Sequence, residues 1–470
     1  MVMQFGQYLD HDITFTAESS LAEHCCEDRT SLNRECFPIS VPDDDIFFGR
    51  QRRDCINFGR SSAYCQRPDA TREQMNALTA FVDASHTYGS DDFHARSMRL
   101  FFGGMLKSSI RTKGRENKEF LPVDPQGHFF SGDIRGTEMP GLAAVHTIFL
   151  REHNRVARGL FHLRRDWNDE QLYQNARRIV IAQWQNAVYG EYLPEILGPR
   201  AMKRFRLGVT SRRSKYDPKE DPTIKNAFAT AAFRFGHTQI QGLIRMMSAT
   251  NNVTETYQLR NNFFSMEPYL AHNGDGMEYV LKGILTQPGA ADDRFVSEDV
   301  TNFLFPGVDL VARNIQRGRD HGLPGYNAFR RFCGLPTSNT WSRTPSFMAR
   351  DLWQRLSSLY AQPEDIDLFT AGLAETIAPG ATVGPTFQCL LASQFASLKS
   401  GDRFFFTHFE GNGVTNAFTD AQLRAIKSRS LRDVLCENTD MFELQLNVFR
   451  LDGRKVPCSQ RNELDLRLFV

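Results

Sequence analysis

A mainly α fold, built as a single large and irregular helical domain, is what this 470-residue sequence predicts. Three observations carry that prediction. Apolar residues recur at spacings of three and four over residues 141–161, 169–189, 223–244 and 386–398, the period of an amphipathic helix. Strand-like alternation is short and scattered. No Pro/Ser/Gly-rich linker, low-complexity tract or fixed-period repeat divides the chain, so residues 1–470 are expected to form one domain although length alone allows two or three.

The elements follow in order. Met3-Gln4-Phe5-Gly6-Gln7-Tyr8-Leu9-Asp10-His11-Asp12, as a helix, puts Gln7 and His11 one turn apart on one face with Asp10 beside them, a group suited to a small polar pocket. Thr79, Phe81, Asp83 and Ser85 alternate at period two, so an extended chain would point all four the same way. Gly132-Asp133-Ile134-Arg135-Gly136-Thr137-Glu138-Met139-Pro140 leads into the helix over 141–161. Asn168 followed by Gln171 reads as a capping box for the helix over 169–189. The helix over 223–244 contains Phe228-Ala229-Thr230-Ala231-Ala232-Phe233-Arg234-Phe235-Gly236-His237-Thr238. An imidazole on that apolar face costs desolvation unless both ring nitrogens are used, by a ligand or by ordinary core partners. The last motif is Ala312-Arg313-Asn314-Ile315-Gln316-Arg317-Gly318-Arg319-Asp320-His321-Gly322-Leu323-Pro324-Gly325-Tyr326-Asn327.

Composition removes some classes of partner. With 56 basic and 55 acidic residues and a net charge of +1, nothing points to nucleic acid. The basic stretch over 203–219 reads as a solvated loop. No apolar run reaches the length of a membrane span, and mean hydropathy is −0.42. Nine cysteines without Cys-x-x-Cys metal spacing predict a disulfide-bonded, secreted protein. Asn252-Val253-Thr254 is a glycosylation sequon consistent with a glycoprotein.

In this order and spacing the four motifs resemble the animal haem peroxidases, a family that includes myeloperoxidase, lactoperoxidase, peroxidasin and the arthropod peroxinectins. The resemblance runs from Met3 to about Cys458. The run Asn314-Ile315-Gln316-Arg317-Gly318-Arg319-Asp320-His321-Gly322 is most similar to the invertebrate-type peroxidasin and peroxinectin branch. The resemblance implies that haem b lies between a distal helix at residues 3–12 and a proximal helix carrying His237, the iron ligand, whose other nitrogen donates to the side-chain oxygen of Asn314. By the same match, His11 is the distal base that takes a proton from the inner peroxide oxygen and returns it to the outer one. Arg135 stabilises charge as the O–O bond breaks, and Gln7 holds a distal water or a halide. Arg234 and Arg317 are partners for the haem propionates. Asp10 and Glu138 match the carboxylates that form ester bonds to haem methyl groups. Met139 stands where myeloperoxidase joins a methionine to a haem vinyl, with an ordinary packing methionine as the alternative. Thr14 departs from myeloperoxidase, which has an acid there, and this bears on the propionate contacts. The family also implies a calcium shell formed by oxygens of Thr79, Asp83, Ser85, Asp12 and the Phe81 carbonyl.

The family's bridges match Cys333–Cys389 and Cys436–Cys458, while Cys36 and Cys55 each take one of Cys25 and Cys26, in either arrangement. Cys65 is left over, as a free buried thiol or as an interchain bridge giving a disulfide-linked oligomer. Relatives carry a long segment ahead of the distal helix, so the chain is expected to be N-terminally truncated, with an upstream segment missing. The implied activity is that of a secreted haem peroxidase of the oxidative-stress response. Hydrogen peroxide accepts two electrons, which are recovered through a ferryl intermediate from a halide, thiocyanate or a phenol such as tyrosine. The alternative is a peroxinectin-like adhesion or matrix protein with incidental catalysis; the absence of Arg-Gly-Asp and Lys-Gly-Asp triplets weighs against integrin binding. A degenerate dual-oxidase domain would have lost His11, Arg135 and His237, and all three are present. The halide-oxidising branch is matched throughout, which disfavours a cyclooxygenase.

Overall fold

The computed structural model describes residues 1–470 except 19–23, 28–33, 65–69, 114–115, 210–212, 249 and 292. The fold is mainly α. Its β-structure among the described residues consists of short antiparallel pairs, joining Ile39–Ser40 to Cys55–Ile56, Ser109–Lys113 to Glu116–Phe120, Leu243–Met247 to Val253–Gln258, and Glu443–Gln445 to Lys455–Pro457.

Helix α1 is Val2–Ile13. Its Phe5, Tyr8, Leu9 and Ile13 recur at three and four and are fully buried. Phe5 meets the rings of Trp184, Tyr192 and Phe449 at 4.8, 5.2 and 5.1 Å. Burying such side chains contributes roughly 1.5–3 kcal/mol each. The polar stripe Gln7, Asp10, His11 and Thr14 is left facing a cleft, so packing of one face aims the other.

The segment before α2, Ser85–Tyr88, does not extend as its alternation predicts. It bends, and Ala84 adopts a left-handed φ of 59°. The curl, rather than a common strand face, gathers the side chains of Thr79, Asp83 and Ser85. Helices α3, Pro140–Leu163, and α4, Asp169–Ala187, lie where expected. Asn168 and Gln171 form the reciprocal capping box, with hydrogen bonds of 2.9 and 3.0 Å. A π-helical turn, Val188–Tyr192, continues α4, and α3 packs against both α1 and α4.

The single helix predicted over 223–244 is instead broken. Helix α5, Asn226–Thr230, stops at Ala231 (φ −136°, ψ −69°), a 3₁₀ helix runs Ala232–Gln239, and a strand begins at Leu243. Phe228 and Phe233, five residues apart, would point to different faces of one continuous helix. With the break, their rings stack at 4.7 Å and both pack on Phe395. Core packing overrides the local period. Helix α6, Leu310–Asp320, starts where the Asp309 side chain accepts from the Ala312 N–H, and α7, Pro385–Ser400, carries Phe395.

Disulfides join Cys25–Cys36, Cys26–Cys55, Cys333–Cys389 and Cys436–Cys458, which selects one of the two arrangements left open for the first pair. Cys65 lies outside the described residues. Asn252 is exposed ahead of its strand. Among the described residues no helix is long and apolar enough to cross a membrane.

Candidate active site

Between α1 and the 3₁₀ helix lies a cleft with about 1400 Å³ of atom-free space, part of it open to solvent. Gln7, Asp10 and His11 of α1 line it, together with Arg135, Glu138 and Met139 from the loop ahead of α3, Arg234 and His237 of the 3₁₀ helix, and Arg317 of a later helix. Residues chosen from four separate motifs therefore share one cavity. Phe233, Phe263, Leu304 and Phe305 add an apolar lining, suited to a flat, largely apolar group.

His237 is a partly buried, neutral imidazole: loss of solvent, and then the Arg234 charge, push its pKa down to about 3. Its Nδ1 lies 2.9 Å from Asn314, but the amide is turned the other way from expectation. The Asn314 nitrogen faces the imidazole because its oxygen accepts from Arg234 Nη1 at 2.6 Å. A guanidinium only donates, so it claims the amide's acceptor. Arg234 also donates to the Ala229 carbonyl at 2.9 Å and forms no ion pair with a carboxylate among the described residues. Burial and the neighbouring Arg317 lower its pKa to about 10. This uncompensated cation in the cleft wall fits an anionic edge of a bound group. Arg317 fits less simply, because its guanidinium is taken by Glu18 at 2.5 Å, Asp320 at 3.1 Å and the Gly59 carbonyl at 3.0 Å.

On the distal side, burial and then the Arg135 charge hold the His11 pKa well below its ordinary value, against the opposing pull of Asp133. Arg135 is locked by Asp133 through Nε and Nη2, each at 2.9 Å, and its Nη1 stands 3.6 Å from Asp10. Gln7 does not present a free amide: its nitrogen donates to Glu138 at 2.9 Å and its oxygen accepts from Gln4 at 2.9 Å. Burial pushes Glu138 up to about 7, with Arg135 and Gln7 opposing, and it also raises Asp10. Thr14 donates to Asp10 at 2.5 Å, so the residue that departs from myeloperoxidase supports a carboxyl rather than facing away. Met139 is buried at the start of α3.

The candidate calcium corner sits directly behind His11. Ser85 N–H donates to Asp12 at 2.7 Å, Ser85 Oγ to the Asp12 carbonyl at 2.9 Å, and Thr79 Oγ1 to Asp83 at 3.0 Å. Burial, and then the Asp12 charge, raise the Asp83 carboxyl to about 8. One buried carboxylate and one partly buried one, Asp12 and Asp83, with hydroxyls around them are a donor set for a hard cation. No cluster of three His, Cys, Asp or Glu side chains with metal-binding geometry occurs among the described residues, and the corner relies on hydroxyl and carbonyl oxygens.

Sequence reasoning gave no role to Asp133, Glu18 or Trp184. Asp133 sits two residues before Arg135, a local signal. Glu18, paired with Arg317 and Arg313, and Trp184, whose Nε1 donates to Asp12 at 2.8 Å, are brought in by tertiary contact alone.

A sequence profile described as animal haem peroxidase matches residues 1–449. The chain is 35% identical to thyroid peroxidase of Sus scrofa, covering 99% of this chain and 54% of that protein. It is 38% identical to myeloperoxidase of Mus musculus, covering 95% and 65%, and 35% identical to peroxidasin homolog pxn-1 of Caenorhabditis elegans, covering 99% and 39%. The chain thus spans about half the length of the curated relatives it matches. Peroxidase A from Dictyostelium discoideum superposes with a TM-score of 0.79 at 28% identity, over 95% of this chain and 86% of that one. A fatty acid alpha-dioxygenase of Oryza sativa shares the fold alone, with a TM-score of 0.72 at 18% identity over 96% and 77%.

Proposed function

Because this chain belongs to the animal haem peroxidase family, we propose that it is a secreted haem peroxidase that reduces hydrogen peroxide and oxidises a halide, thiocyanate or phenolic donor. The observation that carries the reading is that buried His11 and partly buried His237 line one cleft, with Arg135 acting on the first and Asn314 against the second. Haem held there on His237 would supply two-electron reduction of peroxide and its return to the resting state at the expense of the donor. His11, kept neutral by burial and Arg135, accepts a proton from the incoming peroxide and gives it back to the departing oxygen. Arg135, fixed by two hydrogen bonds to Asp133, meets the negative charge that develops on oxygen. Arg234 is the partner for an acidic edge of the cofactor; once it turns there, the Asn314 amide is free to reverse so that its oxygen accepts from His237 Nδ1–H, the tautomer that ligation through Nε2 requires. The apolar lining by Phe263, Leu304 and Phe305 is compatible with an aromatic donor.

Calcium in the corner formed by Asp12, Thr79, Phe81, Asp83 and Ser85 would tie α2 to α1 and hold His11 in place. Asp10 and Glu138 lie on the cleft wall as two carboxyls whose pKa values burial raises, a state compatible with ester formation to the cofactor.

The test is the absorption spectrum and pyridine hemochrome of haem-loaded protein, with two variants. His237→Ala is expected to lose stable haem coordination. His11→Ala is expected to retain the haem and slow the reaction with peroxide by roughly two to four orders of magnitude. Reaction of His11→Ala at the parent rate would overturn the role given to His11.

A further inference from the structure

A general base at His11 needs one particular tautomer. The nitrogen that takes the peroxide proton must carry a lone pair, so the other nitrogen must carry hydrogen and find an acceptor. In the structure His11 lines the cleft while its Nδ1 is buried without a hydrogen-bond partner. The carboxylate nearest to it is Asp133, whose Oδ1 stands 3.6 Å away, with the two side chains only 4% and 2% exposed.

Asp133 is held in place with unusual thoroughness. Its Oδ1 accepts from the Arg135 backbone N–H and Nε, and its Oδ2 from Arg135 Nη2, all at 2.9 Å. Its backbone carbonyl accepts from Ser131 Oγ at 2.8 Å and from the Gly136 N–H at 3.1 Å. The loop also lies hard against the segment that follows the calcium corner: a Cβ on Gly132 would come within 2.6 Å of the Gly89 nitrogen and 2.8 Å of the His86 carbonyl. Burial alone would raise the Asp133 carboxyl, but Arg135 and then His11 hold it well below the usual range. It stays an acceptor.

We propose that Asp133 is the positioning residue of the distal site, a single buried carboxylate that orients Arg135 and, by accepting from Nδ1, fixes His11 in the tautomer whose free lone pair faces the cleft. The arrangement is that of an aspartate behind a catalytic histidine, with an arginine as its second client. Asp133 itself touches neither peroxide nor donor. The inference rests on the peroxidase reading.

The test compares haem-loaded Asp133→Asn and Asp133→Glu with the parent by three rates. Reaction with peroxide and association of cyanide with the ferric protein both require a distal base, because cyanide arrives as a protonated acid. Binding of carbon monoxide to the ferrous protein requires no proton transfer and reports the integrity of the pocket. Asp133→Asn is expected to slow the peroxide and cyanide steps together by at least about a hundredfold, with carbon monoxide binding and the KM for the donor unchanged; Asp133→Glu is expected to recover part of the loss. Cyanide association within about twofold of the parent would overturn the proposal. So would a common fall of all three rates, or failure of both variants to take up haem, since either outcome gives Asp133 an architectural part only. A parent protein that takes up haem but ignores peroxide would sink the peroxidase reading instead, and the cyanide comparison would still decide the part played by Asp133.

Discussion

At the scale of single residues, the cleft shows how burial sets protonation. Asp10 and Glu138 lose solvent without gaining a full ion pair, because Arg135 spends its Nε and Nη2 on Asp133. Their pKa values rise, that of Glu138 to about 7. We expect the haem of the loaded protein to resist acid-organic extraction in the parent, to be retained by one link in Asp10→Asn or Glu138→Gln, and to be released when both are replaced. Full extraction from the parent would refute the ester links. Residues of this kind are legible in the amino-acid sequence, since His11, Arg135 and His237 each sit in a long and specific motif. The hydrogen-bond direction at Asn314 is not. It depends on Arg234, eighty residues away in the chain, and on the rule that a guanidinium cannot accept.

At the scale of elements, α1 is aimed by its packing. Phe5, Tyr8, Leu9 and Ile13 bury one side, while Asp12 reaches back to Ser85 and Trp184. A cation between Asp12 and Asp83 would offset the loss of solvent, and then the Asp12 charge, that raise Asp83 to about 8. Asp83→Ala is therefore expected to release calcium, measured by metal analysis after dialysis, and to alter the Soret band of the haem-loaded protein, because Asp12 adjoins His11 on α1. Removal of tightly bound calcium with unchanged spectrum and peroxide kinetics would uncouple the two sites. The π-helical turn after α4 makes a second contribution to α1, with Tyr192 packed so closely that a Cβ on Gly6 would lie 2.5 Å from its hydroxyl.

At the scale of the whole molecule, the same π turn carries a partly buried acid whose cost depends on pH. Burial pushes the Glu191 carboxyl up to about 8, opposed by the Leu431 N–H that donates to it at 2.7 Å and aided by Asp433. An unfolded glutamate ionises near 4.3. Stability from holding the proton is therefore complete below about pH 4 and declines as pH rises through 8, where the unfolded chain has already given the proton up. Glu191→Gln, which keeps the acceptor for Leu431, should leave the melting temperature unchanged at pH 4 and raise stability at pH 8 by on the order of 1–3 kcal/mol. An equal change at both pH values would contradict this account.

The sequence by itself determined the mainly helical class, the capping of α4, the family, and the candidates Gln7, Asp10, His11, Arg135, Glu138, Met139, Arg234, His237 and Arg317 that line the cleft. Those depend on local period or on motifs long enough to be recognised residue by residue. Tertiary structure alone decided where the proximal helix breaks, because Phe228 and Phe233 share a face only in the presence of Phe395. It also decided which cysteine of the adjacent pair meets Cys36, since both alternatives have the same local sequence. Asp133 gained a candidate partner in His11, and Glu18 a partner in Arg317, only when segments more than a hundred residues apart were packed together; no periodicity along the chain encodes which buried charges will meet.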